Sequence, residues 1–370
     1  MNSRTQVIVL DVWDPARGGL EFYAESLLDA LRLQGAPCRV VCGERRAELD
    51  VDCEELGGRG PEFYRRLDRR GQRDGEQLLH FRHPGALPGV FLPLGGLLAA
   101  ALDARRKAEP AYLRPFKRLA RSLDARTRCY LGREQSFFTQ AQPGLVLASS
   151  TLTAAEVNRR YPDFEGRVEV TGLPVDADHF SLPSESDRLQ AREALQLGPD
   201  SLVLLWLGHD PVRKGLAVAR RVLRRLRLRR LDARLVCAGH GTRRIHGKEP
   251  GLVGLGQRSD VLRLLHAGDL LFLPSLEDNL SFVVLEALAT GLPCVTSAQN
   301  GAASFLSEPE LGRVLQDPKD VAEADRLVLV SLTKGMLAAD LRQRRRQAVA
   351  PCFAPAHFAR VLELLEPRPR

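Results

Sequence analysis

Hydrophobic residues along the chain form short unbroken runs that alternate with segments in which they recur every three or four positions. An unbroken apolar run is typical of a buried parallel strand, and the longer repeat is typical of a helix packed on a sheet. After the run at 7–12, for example, the repeat over 20–33 predicts a helix. The other predicted strands are 38–42, 145–149, 168–171, 202–207, 233–238, 270–273 and 294–297, and the other predicted helices are 215–230, 259–266, 282–290 and 355–365.

Strands alternating with helices predict an α/β protein with parallel sheets, whose ligands bind at the carboxyl ends of the strands. A length of 370 residues favours two domains. We expect an N-terminal domain over 1–175 and a C-terminal domain over 176–350. Residues 351–370, which carry the last predicted helix, are expected to pack back on the first domain.

Composition narrows the class of protein. Hydrophobic residues make up 44% and charged residues 27%, which excludes wholesale disorder, and seven cysteines are too sparse for a disulfide scaffold. A net charge of +8 favours anionic ligands. Nucleic acid is not an expected partner, because aromatic residues are only 6% and no base-reading motif is present. No apolar run is long enough to span a membrane, so a cytoplasmic protein is expected.

The strongest chemical signal follows the predicted strand 270–273. A Pro-Ser step ends this strand, an acidic loop follows, and a helix begins near Ser281. The first turn of a helix presents unpaired N–H groups and the positive end of the helix dipole, which suits a diphosphate. Asp278 and Glu286 flank this helix start, where their carboxylates can accept hydrogen bonds from sugar hydroxyls. The segment therefore predicts a site for a sugar joined to a diphosphate.

A second candidate follows the predicted strand 202–207, where a glycine-containing turn ends in Arg213, Lys214 and Gly215. Two fixed cations at the mouth of a parallel sheet can neutralise a leaving diphosphate. The alternative interpretation is a solvated surface turn.

A third candidate is the pair Gly18 and Gly19, which follows the first predicted strand. Paired glycines let backbone N–H groups approach a phosphate or sugar closely. An ordinary tight turn is the alternative.

These segments, in this order, resemble the family 4 retaining glycosyltransferases of the GT-B fold, and within that family the lipopolysaccharide core glucosyltransferases. The stretch from Asp278 to Glu286 resembles the E-x7-E signature of the family with Asp in the first place. The resemblance implies two Rossmann-like, doubly wound parallel-sheet domains facing across a cleft. The N-terminal domain would bind the acceptor and the C-terminal domain the nucleotide sugar.

The resemblance also implies an activity. A hexose would move from a nucleotide sugar, with UDP favoured, to a lipid-linked glycan such as lipopolysaccharide core or a cell-surface polysaccharide, with retention of anomeric configuration. The family needs neither a metal nor another cofactor. The one D-x-D of this chain, at Asp176 and Asp178, falls at the domain boundary and is interpreted as hinge polarity.

Roles follow by resemblance for the matching residues. Glu286 would hold the ribose hydroxyls, Asp278 would contact the donor sugar, and Arg213 and Lys214 would stabilise the diphosphate leaving group. The other residues assigned to the nucleotide sugar are Gly18, Gly19, His209, Arg258, Asn279, Leu280 and Ser281, with Arg258 facing the base.

Two departures from the family pattern leave a second possibility open. Relatives often place a His or Asp near the anomeric centre in a loop where this chain has Leu94 and Gly95. His83 lies earlier in that region, and two interpretations are open: it reaches the site in their place, or it is a solvated loop residue, which is the favoured interpretation. The first acidic position is Asp278, which is one methylene shorter than Glu. The alternative function is therefore a catalytically weak or inactive relative that binds sugar nucleotides.

Basic segments suggest a further partner. Arginine and lysine interleave with aromatic residues over 105–128, a segment that in the resembling family helps the enzyme lie on the anionic inner membrane. A peripheral position on that membrane is the expectation, with a solvated helix face as the alternative. The arginine-rich run 220–230 is interpreted as a solvated helix face. A dinucleotide oxidoreductase is disfavoured, because no G-x-G-x-x-G follows the first strand.

Overall fold

The computed structural model describes residues 4–14, 19–108, 124–142 and 144–366, with the backbone alone at 104–108 and 334. The chain divides into two compact units. The N-unit comprises the chain up to Gly172 together with a return from Phe358 onward, and the C-unit comprises Leu173–His357.

The N-unit is a parallel sheet with helices between its strands. The strands are β1 (Thr5–Trp13), β2 (Cys38–Arg45), β3 (Cys53–Glu55), β4 (Glu76–Phe81), β5 (Val90–Leu92), β6 (Leu145–Ala148) and β7 (Arg167–Val170). The helices are α1 (Gly19–Leu33), α2 (Pro61–Arg70), α3 (Leu98–Ala108), α4 (Ala125–Thr139) and α5 (Thr151–Arg160). The seven strands lie in the order β3-β2-β1-β4-β5-β6-β7. The chain adds β2 and β3 on one side of β1 and the later strands on the other side, so the direction of strand addition reverses beside β1.

The core of the N-unit lies on both sides of this sheet. On one side, Val7 and Val9 of β1 pack with Phe63 and Tyr64 of α2 and with Tyr130 of α4. The apolar stripe of α1 is buried as the helical repeat predicts, with its inward residues at Tyr23, Ala24, Leu27, Leu28 and Leu31. Burial of large side chains is the main stabilising contribution to such a layer.

The C-unit has the same architecture. Its strands are β8 (Leu202–Leu207), β9 (Ala233–Ala238), β10 (Leu252–Gly256), β11 (Leu270–Leu273), β12 (Cys294–Ser297) and β13 (Gly312–Leu315). Its helices are α6 (Glu185–Ala194), α7 (Leu216–Leu228), α8 (Val261–Ala267), α9 (Phe282–Ala289), α10 (Val321–Ser331) and α11 (Ala339–Ala348). The last helix, α12 (Ala354–Leu365), begins in the C-unit and belongs to the N-unit from Phe358 onward. Short 3-10 helices lie at Thr242–Ile245, Gly301–Phe305, Lys334–Leu337 and Ala350–Cys352. The six strands are parallel in the order β10-β9-β8-β11-β12-β13.

The predicted α/β class with parallel sheets is confirmed, and four predicted strands, β8, β9, β11 and β12, have the predicted bounds. Five strands were not predicted, namely β3, β4, β5, β10 and β13. β4 begins with the polar residues Glu76-Gln77, β3, β10 and β13 lack an unbroken apolar run, and the apolar run of β5 is only three residues long. No helix within the described ranges is both long enough and apolar enough to cross a bilayer.

Two polar segments of the C-unit have structural partners. The Asp176 carboxylate accepts hydrogen bonds from the N–H groups of Asp178 at 3.1 Å and His179 at 2.9 Å, and so closes a turn. Four of the five arginines of α7, and Arg229 just after it, form ion pairs rather than being merely solvated. Arg220 and Arg224 contact Glu249, Arg225 and Arg229 contact Asp325, and Arg227 contacts Asp232.

Candidate functional site

Two neighbouring strands of the C-unit bring the main candidate segments together. β8 and β11 are hydrogen-bonded neighbours in a parallel sheet, so their carboxyl ends lie at the same edge. The basic turn (residues 208–215) follows β8, and the acidic loop (residues 274–281) follows β11. The N–H of Leu276 donates to the Arg213 carbonyl at 2.7 Å and joins the two segments directly.

Glycines allow the basic turn to lie against its neighbours. Gly215 has a φ of 71°, and a Cβ at this position would overlap the carbonyl oxygen of Pro274 at the end of β11. A Cβ at Gly208 would lie 2.6 Å from Cδ of Lys214. The backbone of the turn can therefore approach β11, and the Lys214 stem can pack over it, only because side chains are missing at these positions.

An ion-paired cluster forms where the turn and the loop meet. Lys214 Nζ donates to Asp278 Oδ2 at 2.8 Å and to Ser281 Oγ at 3.1 Å. The Ser281 hydroxyl donates to the same Asp278 oxygen and accepts a hydrogen bond from Asn300 Nδ2 at 3.1 Å. These four residues are called the Lys214 cluster below. Asp278, Ser281 and Asn300 are buried, so the cluster holds the Lys214 ammonium in one place.

Arg213 lies beside this cluster but remains more accessible. Its Nη1 donates to the Glu277 carbonyl at 3.1 Å and lies 3.5 Å from Asp278 Oδ1. A third of the Arg213 side chain is exposed, against 12% for Lys214. Arg213 therefore combines a fixed backbone with a guanidinium that solvent or a ligand can reach.

Opposing effects act on the Asp278 carboxyl. Burial favours the neutral acid, but the charges of Lys214 and Arg213 and the hydrogen bonds from Lys214 and Ser281 outweigh it and hold the pKa of Asp278 below its ordinary value. A buried carboxylate is stable only with such partners. Asp278 is therefore ionised, and one carboxylate stands between two cations.

The start of α9 lacks a side-chain cap. Ser281 occupies the N-cap position, but its hydroxyl is used within the Lys214 cluster and makes no capping hydrogen bond. The first N–H groups of a helix carry partial positive charge when they are left uncapped. This positive end adds to Lys214 and Arg213 at the same edge of the sheet.

Glu286 lies one turn into α9 and is half-buried. Within the described parts of the chain, its carboxylate forms neither a hydrogen bond nor an ion pair. Although part of the residue is accessible, the protein around its carboxyl displaces water, and this burial raises the pKa of Glu286 to about 7 against the opposing charge of Lys214. An unpaired carboxyl in such surroundings gains from a ligand that donates hydrogen bonds.

The other predicted residues of the C-unit have varied surroundings. His209 is exposed at the end of β8, and Asn279 is half-buried in the acidic loop. The side chain of Leu280 is buried, so only its backbone is available to a ligand. Arg258 makes a two-pronged ion pair with Asp260, at 2.7 and 2.5 Å, and no described contact joins it to the Lys214 cluster.

The predicted residues of the first 175 positions lie in the N-unit. Gly19 is the first residue of α1, whereas Gly18 lies outside the described residues. The interpretation of His83 as a solvated loop residue is wrong, because its ring stacks on Tyr130 with centroids 3.8 Å apart. Leu94 and Gly95 lie in the loop after β5.

Most of the basic segment predicted at 105–128 lies outside the described residues. Residues 109–123 lie outside the described residues, and 104–108 are described by their backbone alone. Arg126 and Arg128, at the start of α4, are exposed.

Sequence analysis did not single out Asn300, which completes the Lys214 cluster. Its side-chain amide donates to Ser281 and also to Thr296 Oγ1 at 3.0 Å, and its backbone forms a bridge with Asp278. An available signal was the Asn-Gly step at 300–301, a turn marker shortly after the predicted strand 294–297.

Comparison with known proteins first indicates a class. Residues 201–329 match the family model described as "Glycosyl transferases group 1". The matched region contains the basic turn, the acidic loop, α9 and Asn300, and thus every member of the Lys214 cluster.

Two curated proteins are similar to this chain over about half of its length. D-inositol 3-phosphate glycosyltransferase 2 of Catenulispora acidiphila is 30% identical over 200 residues, which are 48% of this chain and 46% of that protein. The lipopolysaccharide glucosyltransferase WaaG of Escherichia coli K12 is 24% identical over 224 residues, 58% of this chain and 60% of WaaG. The chain thus spans roughly half the length of these curated relatives.

Solved structures show the same fold over nearly the whole chain. A crystal structure of WaaG, described as a glycosyltransferase involved in lipopolysaccharide biosynthesis, covers 97% of this chain and 99% of its own, with a TM-score of 0.77 at 19% identity. HepE of Anabaena in complex with UDP-glucose covers 97% of this chain and 99% of its own, with a TM-score of 0.69 at 15% identity. The predicted fold of two Rossmann-like parallel-sheet domains is confirmed.

Proposed function

We propose that this protein is a retaining glycosyltransferase that moves a hexose from a UDP-sugar to a lipid-linked glycan, such as lipopolysaccharide core or a cell-surface polysaccharide. The observation that carries the proposal is the Lys214 cluster at the uncapped start of α9, with the unpaired Glu286 on the same helix. The match to glycosyltransferases over 201–329 and the likeness to a lipopolysaccharide glucosyltransferase support it.

In this proposal the C-unit binds the donor. The diphosphate lies at the start of α9, where it accepts hydrogen bonds from Arg213, Lys214 and the backbone N–H groups of 279–281. Glu286 accepts hydrogen bonds from the ribose hydroxyls, and Asp278 accepts them from the hexose. Arg258 is assigned to the base of the nucleotide, and His209 is also assigned to the nucleotide sugar.

Charge development dictates the chemical role of the two cations. When the bond from the anomeric carbon to the diphosphate breaks, negative charge grows on the departing oxygen and positive charge grows on the sugar. Lys214 is held rigidly by Asp278 and Ser281, so it stabilises the leaving group without reorganisation. Two fixed cations and a helix dipole neutralise a diphosphate directly, and the proposal therefore includes neither a metal nor another cofactor.

Retention follows if the acceptor hydroxyl attacks the face from which the diphosphate leaves. The departing phosphate oxygen then takes the proton of the acceptor, and no protein base is required. The negative charge of Asp278 lies beside Lys214, where it stabilises positive charge on the sugar ring.

The acceptor is assigned to the N-unit, and Gly18 and Gly19 are assigned to the nucleotide sugar on the diphosphate and acceptor side. A lipid-linked acceptor requires the enzyme to reach a membrane, and the basic residues of 105–128 are proposed to hold it on the anionic cytoplasmic surface.

A thermal-shift screen followed by product analysis tests the donor and the chemistry. We expect stabilisation by UDP-glucose, UDP-N-acetylglucosamine or UDP-galactose rather than by GDP-mannose, followed by transfer or slow hydrolysis of the best donor. Arg213→Ala and Lys214→Ala should each lower turnover by roughly 100- to 1000-fold, the loss typical of one preorganised donor. Lys248→Ala and Arg221→Ala, which remove exposed cations elsewhere in the C-unit, serve as matched controls.

The outcomes separate the candidate functions. Turnover that is unchanged in both Arg213→Ala and Lys214→Ala contradicts the proposed leaving-group role. UDP-sugar binding without transfer or hydrolysis supports the inactive relative, which the residues Leu94 and Gly95 favour. NMR of the product decides retention, since the anomeric coupling constant reports the configuration of the new bond.

A further inference from the structure

The carboxyl edge of the N-unit sheet carries a second group of polar side chains, whose hydrogen-bonding groups are largely unused among the described residues. We propose that Asp11, His83 and Arg126 form a subsite that binds a neutral, polyhydroxylated sugar ring of the acceptor. The inference rests on the proposed function, because it names the substrate class of the acceptor domain.

Asp11 places a carboxylate near the end of β1. Side chains alternate along a strand, so Asp11 lies on the same face as Val7 and Val9, which pack against Tyr64 and Tyr130. Asp11 is half-buried, and it makes neither a hydrogen bond nor an ion pair with any described part of the chain. Burial and then the charge of Asp11 raise the pKa of Tyr64, which packs on this face of the strand. A half-buried carboxylate without a donor is suited to accept hydrogen bonds from sugar hydroxyls.

His83 follows β4 and lies on the surface of Tyr130. Its ring is nearly parallel to the phenol, at 11°, with a centroid distance of 3.8 Å. Neither ring nitrogen forms a hydrogen bond with the described residues. Burial and then the charges of Arg82, Arg126 and Arg133 lower the pKa of His83 to about 3, so the ring stays neutral at physiological pH. A neutral imidazole offers one donor and one acceptor, which matches a hydroxyl group.

Arg126, in the first turn of α4, adds donors beside this ring. Its Nε donates to the Tyr130 hydroxyl at 3.3 Å, and the rest of its guanidinium makes no further hydrogen bond or ion pair with described residues. Gly60 keeps the place open, because a Cβ there would lie 2.8 Å from the Tyr130 hydroxyl and 3.3 Å from Arg126 Nη2. An exposed guanidinium next to a carboxylate and a neutral imidazole can bind several hydroxyls of one ring.

The charges around the subsite favour a neutral ligand over an anion. Arg133 is neutralised by both oxygens of Asp68, at 2.7 and 2.8 Å. Arg59 is paired with Glu44. Arg82 lies 3.8 Å from the buried carboxylate of Glu21. Asp124 caps α4 beside Arg126. With these pairs in place, the charged groups left to the subsite are the Asp11 carboxylate and the Arg126 guanidinium, whose charges cancel, so the subsite has no net charge that would favour an anion.

Acceptor kinetics test the subsite with p-nitrophenyl glycosides of glucose, galactose, mannose and N-acetylglucosamine as probes. Asp11→Asn and His83→Ala should each raise the KM for the best probe by roughly 10- to 100-fold, the range expected when a hydrogen bond to a charged or buried group is lost. The KM for the UDP-sugar and its hydrolysis without acceptor should not change. Asp29→Asn, an exposed change on α1, is the matched control and should alter neither constant.

The other possible results of these measurements would contradict either the acceptor subsite or the proposed function. An unchanged acceptor KM in both Asp11→Asn and His83→Ala overturns the subsite. A hexose 6-phosphate used in preference to the parent hexose identifies an anion site and also overturns it. If no probe accepts a sugar or shifts the melting temperature of the wild-type protein while UDP-sugar hydrolysis proceeds, the hexose subsite fails and the donor site stands. Loss of donor binding and hydrolysis in the wild-type protein would instead refute the proposed function itself.

Discussion

Lys214 Nζ lies 2.8 Å from Asp278 Oδ2, so a single ammonium group neutralises a buried carboxylate and also stands at the start of α9. The pair therefore has a structural and a chemical consequence. Experiments can separate the two. The free energy of unfolding depends on the charges of both Lys214 and Asp278, whereas the contribution of this pair to stabilising the departing diphosphate comes from the Lys214 charge.

Lys214→Met should destabilise the C-unit by about 3–5 kcal/mol, the range for breaking a buried ion pair by removing one partner. The double variant Lys214→Met/Asp278→Asn removes the unpaired charge as well and should recover part of that stability without recovering turnover. Urea unfolding and donor turnover, measured on both variants, check this. A Lys214→Met protein as stable as the wild type would show that Asp278 does not depend on this cation.

Glu286 should make the stability of the wild-type protein fall as the pH rises. The pKa of Glu286 is raised from the ordinary 4.5 to about 7, so between these values the folded protein keeps a proton that the unfolded chain has released. Glu286→Gln removes this titration and should become more stable than the wild type by up to about 3 kcal/mol above pH 7, with little difference below pH 4.5.

Urea unfolding across that pH range measures the effect, with the exposed Glu193→Gln as the matched control. The same variant should bind UDP more weakly, because an amide accepts fewer ribose hydrogen bonds than a carboxylate. A stability difference that is independent of pH would mean that the pKa of Glu286 is not raised.

Ser281→Ala should lower stability by about 1–3 kcal/mol, because the hydroxyl that accepts from Lys214 and Asn300 is lost while those donors stay buried. Ser275→Ala is a close control, since Ser275 is equally buried in the same loop and its hydroxyl has no partner among the described residues. Thermal unfolding should show a clear loss for the first variant and almost none for the second. Equal losses would refute the bridging role of Ser281.

Gly215→Ala should destabilise the protein more than Gly241→Ala. Both glycines have left-handed φ angles, at 71° and 76°, which cost an alanine about 1–2 kcal/mol. Gly241 has open space where a Cβ would lie, whereas a Cβ at Gly215 overlaps the Pro274 carbonyl. The overlap also pushes the basic turn away from β11, so Gly215→Ala alone should weaken UDP binding in a titration. Identical effects on stability and UDP affinity would contradict the close approach.

The parts of the fold that could be predicted are those governed by continuous burial. β8 and β11 are apolar along their whole lengths, and the pattern defines their bounds. β4 could not be predicted in this way, because Glu76 is held inside by ion pairs with Arg39 and Arg70 rather than by an apolar environment. Such pairs depend on residues distant along the chain, and no local pattern reports them.

In the candidate site, too, some residues could be predicted from local sequence, and others depend on elements distant along the chain. Arg213, Lys214 and Asp278 were recognisable because their segments end strands that pair in the sheet, and the proximity of their side chains follows from that topology. The contribution of Asn300 depends on the loop after a third strand, β12. The packing of His83 on Tyr130 depends on α4, a helix that the apolar pattern did not predict.

An ammonium group has three N–H groups, and within the described chain two of those of Lys214 donate hydrogen bonds, to Asp278 and Ser281. The third N–H group can therefore donate to a ligand while the ion pair between Lys214 and Asp278 stays intact. A phosphate oxygen could therefore be received on this spare donor while the carboxylate keeps its counterion, so the resting protein already stands in the arrangement that a loaded one would require.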